Sequence, residues 1–132
     1  MKKRIEALAR IAKLQMRLHD LKQARAAALE QERARLSGEI GAVFEALSSG
    51  ELAYGAQAKL SARHARLMET RIAALAQARD ETRDEARAHG LRAKLAGQAA
   101  DAAERKRRDF EERKALAELV ERGLGRRDAS QT

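Results

Sequence analysis

The chain has 132 residues, 36% of them charged and only 2% aromatic, with no cysteine, no proline and a formal charge of +8. One Tyr, two Phe and no Trp cannot fill a large globular core, and the absence of cysteine excludes disulfides, thiolate nucleophiles and zinc–thiolate sites. A composition rich in A, E, K, L and R with helical periodicity is that of a coiled coil or long helix, and a regular apolar stripe argues against disorder.

The first predicted element runs from about residue 3 to residue 48. Ile5, Leu8, Ile11, Leu14, Leu18 and Leu21 recur in steps of three and four. The stripe weakens through Ala24, Ala27 and Ala28 and returns at Leu29, Leu36, Ile40, Val43 and Leu47, one residue out of phase. A straight helix absorbs such a slip with little supercoil. The basic start through Arg4 resembles a signal peptide in charge, but Arg10, Lys13 and Arg17 interrupt what would be its apolar region, so secretion by that route is not expected. No apolar run approaches the ~20 residues of a membrane span, and a soluble cytoplasmic protein is the default.

Ser48-Ser49-Gly50 is the best break in the chain, because Gly takes the left-handed conformation that closes helices and Ser suits caps and tight turns. The predicted turn spans about 48–55. Phe44 and Tyr54 flank it and are expected to plug its tip. A second helix is predicted over about 56–123, carrying Leu60, Leu67 or Met68, Ile72, Leu75, Ala78, Thr82 and Ala86, then Leu91, Leu95, Ala99, Ala102, Phe110, Leu116, Leu119, Val120 and Leu124. Gly90 and Gly97 each cost about 1 kcal/mol against Ala, so a kink or frayed turn is expected near 90–97. Gly123 and Gly125 are expected to end the helix, leaving 124–132 as a disordered tail. Acid-first pairs four apart, such as Asp109 with Arg113 and Glu118 with Arg122, support helix throughout.

The fold class is therefore all-α, a single antiparallel two-helix coiled-coil hairpin with the second helix longer and overhanging. Folding at Ser49 sets Ile5 against Lys94 or Leu95, Leu36 against Ala62 or Arg63, and His19 against about residue 80. Everything after Leu95 then overhangs, and Phe110 within it reads either as a partner anchor or as half buried in a homodimer.

Such a hairpin has no interior for an enclosed active site. His19, His64 and His89 do not converge as metal ligands must. Asp80, Glu81, Asp84 and Glu85 form an acidic patch that reads as a solvated helix face. No Ser-His-Asp or phosphate-loop pattern exists, so no enzyme activity, metal, cofactor or small-molecule substrate is expected. Arg105-Lys106-Arg107-Arg108 is the densest basic run and the candidate nucleic-acid contact. Neighbouring acids largely neutralise it, and stacking aromatics are absent. The basic stretch to Lys22 could at most lie peripherally on an anionic membrane.

The opening, Leu8-Ala9-Arg10-Ile11-Ala12-Lys13-Leu14-Gln15 within residues 5–15, resembles the "L-x-R-[LI]-x-K-L-Q" start of the flagellar export protein FliJ and the YscO family of virulence secretion. Residues 105–119, from Arg105 through Asp109-Phe110-Glu111-Glu112 to Leu119, resemble that family's charged ending. The resemblance implies a stalk-like antiparallel coiled coil that associates with the hexameric export ATPase of type III secretion, touches the export gate and escorts secretion chaperones. It implies a gate-binding stripe at Leu60, His64, Leu67 and Arg71. The unpartnered end, with Phe110, Leu116, Leu119 and Val120 beside Ile5 and Leu8, is the expected ATPase-docking element. The alternatives are a generic scaffolding or dimerising coiled coil and a basic nucleic-acid-associated protein.

Overall fold

The computed structural model describes residues 1–50 and 55–131. Its elements are two α-helices, α1 (Lys2–Ser48) and α2 (Gly55–Gln131), packed against each other as an all-α helical hairpin. Ser48 and Ser49 donate from Oγ to the carbonyls of Glu45 and Ala46, at 3.0 and 3.1 Å, and Gly50 takes φ 81°. The Glu45 carbonyl also accepts the Ser49 N–H at 2.9 Å, so Ser48 adds a second bond there while Ser49 serves the Ala46 carbonyl, and the glycine supplies the backbone step that a residue with a Cβ resists. Gly55, at φ 63°, opens α2. Phe44 is half exposed, and Tyr54 lies outside the described residues.

The buried stripe differs from the expected one. On α1 the residues withdrawn from solvent include Ile5, Leu8, Ala12, Gln15, His19, Lys22, Ala26, Leu29, Arg33, Leu36, Ile40, Val43 and Leu47. These form an unbroken alternation of steps of three and four, with no phase slip. An unbroken heptad favours left-handed supercoiling, not the straight helix that a slip implies. Ile11, Leu14 and Leu21 lie outside it and are exposed. On α2 the matching stripe runs through Ala65, Met68, Ile72, Leu75, Arg79, Thr82, Ala86, His89, Ala93, Ala96, Ala100 and Ala103 to Arg107. Met68 is taken and Leu67 left out; Ala96 and Ala100 are taken while Leu91 and Leu95 stay in solvent. Small side chains let the helices approach closely, so a seam of alanines leaves adjacent leucines outside.

α2 has no frayed turn at Gly90 or Gly97, and it continues through Gly123 and Gly125 to Gln131, where a disordered tail was expected. Isolated glycines lower helix stability without removing a hydrogen bond. Gly90 has a packing role, because a Cβ there would sit 3.1 Å from Nδ1 of His19. Gly97 faces open space. Gly97→Ala is therefore expected to stabilise the chain by about 0.5–1 kcal/mol in urea titrations. Gly90→Ala should gain nothing or lose stability, and equal gains at both positions would show that His19 does not hold that glycine.

By their contacts the residues fall into two compact units. One comprises Met1–Gln15 with Leu91–Thr132, the other Met16–Gly90. A two-helix seam has no shared centre, so each layer of side chains touches only its neighbours. Within Met16–Gly90 two polar layers interrupt the apolar seam. Arg33 holds Glu30 with two nitrogens, Nε to Oε2 at 2.9 Å and Nη2 to Oε1 at 2.7 Å, and Arg79 reaches the same carboxylate from α2. In the second layer Lys22 meets Glu85 at 2.6 Å, and His19 donates from Nδ1 to the Ala86 carbonyl at 2.7 Å. His19 thus lies against residues 86–90, several residues beyond the expected partner near residue 80. Polar groups at seam positions fix register, because a shifted pairing strands them.

Candidate functional site

The shifted register moves the overhang. Burial was expected to stop near residue 96, but Ala96 and Ala100 are buried, and Ala103, Glu104 and Arg107 are partly covered. From Arg108 to Arg126 every residue is exposed. This uncovered stretch of α2 carries Phe110 (58% exposed), Leu116, Leu119, Val120 and Leu124. Spacings of i, i+4 and i+8 place Leu116, Val120 and Leu124 on one side of the helix.

In the same unit, α1 and α2 leave a shallow groove lined by Met1, Arg4, Ile5, Leu8, Ala99, Ala102, Ala103 and Lys106. Ile5 therefore meets residues near 102, not Lys94 or Leu95. Ile5 and Leu8 are half buried in the seam, so they offer a partner only their groove-facing edges. The expected docking residues accordingly split into a fully open set on the overhang and a half-covered pair in the groove.

The basic run is partly neutralised within its own helix. Arg107 binds Glu104 at 2.6 Å and Glu111 at 2.9 Å, and Arg108 lies 3.5 Å from Glu104. These contacts raise the Arg107 pKa and hold the Glu104 carboxyl below the usual carboxylate range, chiefly through their mutual hydrogen bond. Arg105 and Lys106 hold no ion pair among the described residues, and Lys106 lines the groove. The run thus presents two open cations and two committed ones.

Leu60, His64, Leu67 and Arg71 lie on one outer face of α2, all exposed. Arg63 and Arg66 border the leucines, giving a basic apolar strip, and Arg71 reaches Glu32 of α1 at 3.8 Å. The acidic patch is spread among local partners. Asp80 takes Arg79 and Arg83, Asp84 takes Arg87, Glu85 takes Lys22, and Gln77 donates to Glu81. The polar layers around Glu30 and Glu85 escaped sequence reasoning. Their signal was present: strict heptad counting from Ile5 lands on His19, Lys22 and Arg33. Among the described residues, no helix is long and apolar enough to cross a membrane. Compared with known protein families, curated proteins and solved structures, the chain has no significant match.

Proposed function

We propose that the chain is a non-enzymatic, stalk-like component of a type III protein export apparatus. In this reading it works in the cytoplasm, at most peripheral to the membrane. Its uncovered helix end docks into the hexameric export ATPase, the strip at Leu60, His64, Leu67 and Arg71 meets the export gate, and secretion chaperones ride on the hairpin. The reading rests on the resemblance of residues 5–15 and 105–119 to the FliJ and YscO proteins. The observation that carries it is the helical stretch from Arg108 to Arg126, exposed throughout yet bearing a Phe, three Leu and a Val. An amphipathic helix face left uncovered by the described residues supports this reading, because such a face can lie in a partner's apolar groove. The nucleic-acid alternative is less favoured, because Arg107 and Arg108 already serve Glu104 and Glu111.

Phe110→Ala combined with Val120→Ala tests the reading. Both side chains are exposed, so the circular dichroism of the free chain should be unchanged. Binding to the ATPase, measured by calorimetry, should weaken at least tenfold, about 1.4 kcal/mol. Full-strength binding by the double variant would exclude the overhang as the docking element.

A further inference from the structure

Met1–Gln15 and Leu91–Thr132 carry an apolar surface beyond the overhang. Ile11 stands seven residues from Arg4, and Leu95 seven from Ala102, so both continue the lines of residues that form the groove. Ile11, Leu91 and Leu95 are about half exposed, and Leu95 is 55% exposed. Exposed apolar side chains thus continue the groove's line along both helices.

Its surroundings are basic. Residues 1–15 and 91–107 hold ten basic and three acidic side chains. Lys2, Lys3 and Arg4 crowd the first turn of α1, which has no acidic residue. Cations there oppose the positive end of the helix dipole. The overhang, Arg108 to Arg126, is neutral as a whole with five acidic and five basic side chains, but its acids gather in residues 109–121, which hold five acidic and two basic side chains.

From this juxtaposition we propose that the groove is filled by the overhang of a second copy of the chain, in a two-fold symmetric, antiparallel dimer. The spacings match. Leu91, Leu95 and Ala99 repeat every four residues, as do Leu116, Val120 and Leu124. Antiparallel alignment sets Leu91 against the second copy's Leu124, Leu95 against its Val120, and Ala99 against its Leu116. The same register pairs Lys94 with Glu121 and Lys106 with Asp109, and brings Asp109, Glu111 and Glu112 toward the basic first turn of α1. The two-fold axis falls between Arg107 and Arg108, where self-covering ends and where Glu104 and Glu111 already balance the arginines. A two-fold interface makes each contact twice, so both copies lose their uncovered apolar face together. The dimer would also cover Phe110 and Val120, and an export ATPase would have to displace the second copy to dock.

Sedimentation velocity on the full chain up to ~100 μM tests this, a range that registers micromolar dissociation constants. The expected result is a mass rising to two chains, with Leu95→Glu raising the dissociation constant more than tenfold at unchanged helix content. Lys94→Glu should weaken the dimer and Glu121→Lys in the same chain should restore it. Because the chain has no cysteine, Leu95→Cys with Val120→Cys should form only intermolecular disulfides under mild oxidation. A chain that stays monomeric throughout, or a dimer indifferent to Leu95→Glu and to the charge exchange, overturns the proposal. Leu95→Glu leaves Phe110 and Val120 in place, so loss of the dimer is distinguishable from failure of ATPase docking.

Discussion

Leu75→Ala is expected to remove about 2–3 kcal/mol of stability and to lower the midpoint of thermal unfolding by roughly 10 °C. Among the described residues, Leu75 is 3% exposed and one of three large apolar residues in eight buried core positions, with Leu29 and Met68; the other five are alanines. Alanine buries little apolar area, whereas a fully buried Leu contributes about 1.5–3 kcal/mol, so the few large residues carry a disproportionate share. The wild-type transition, followed by circular dichroism, should for the same reason be broad and low. Leu67→Ala is the control: its side chain is 70% exposed, and the change should stay within about 0.5 kcal/mol. Equal losses at 67 and 75 would place the seam on the wrong face of α2. A sharp wild-type transition above ~90 °C would show that an obligate assembly supplies most of the stability.

The helical class was legible because nothing in the chain opposes it: no proline occurs, and Ser48-Ser49-Gly50 is the one strong stop. The seam was less legible, for a physical reason. A helix with one partner buries only two positions in seven, so most of its apolar residues need not be inside. Choosing the greasiest line favoured Ile11, Leu14 and Leu21, whereas the seam runs through Gln15, His19 and Lys22. The same preference chose Leu95 over Ala96. Counting strict heptads, with polar residues admitted where an opposite charge stands on the other helix, recovers the observed line. The exposure of Phe110, Leu116, Leu119 and Val120 was readable from the unequal lengths of the two helices on either side of Ser49. The start of the uncovered stretch was not, since it depended on a register set by Glu30, Arg79, Lys22 and Glu85.

Those polar layers are expected to make the fold sensitive to acid. The Arg33 hydrogen bonds, followed by that of Arg79, pull the Glu30 pKa down from 4.5 to about 2. Lys22 lowers that of Glu85 in the same way. A carboxyl whose pKa is lower folded than unfolded binds fewer protons when folded. It therefore stabilises the fold fully above the unfolded value, and that contribution is lost as pH falls through the folded one. For Glu30 the window runs from about 4.5 down to about 2. The urea midpoint should be flat near neutrality and fall steeply across that window. Protonation also raises the net positive charge, which destabilises a compact basic chain by repulsion. Glu30→Gln separates the two causes. It keeps the shape but removes the charge that Arg33 and Arg79 share, so the variant should be weaker than wild type at pH 7 and nearly equal to it near pH 2. High salt should narrow the neutral-pH gap, because these groups are only partly shielded from solvent. A constant difference between Glu30→Gln and wild type across the whole pH range would mean that the Glu30 layer holds the helices by shape and not by charge.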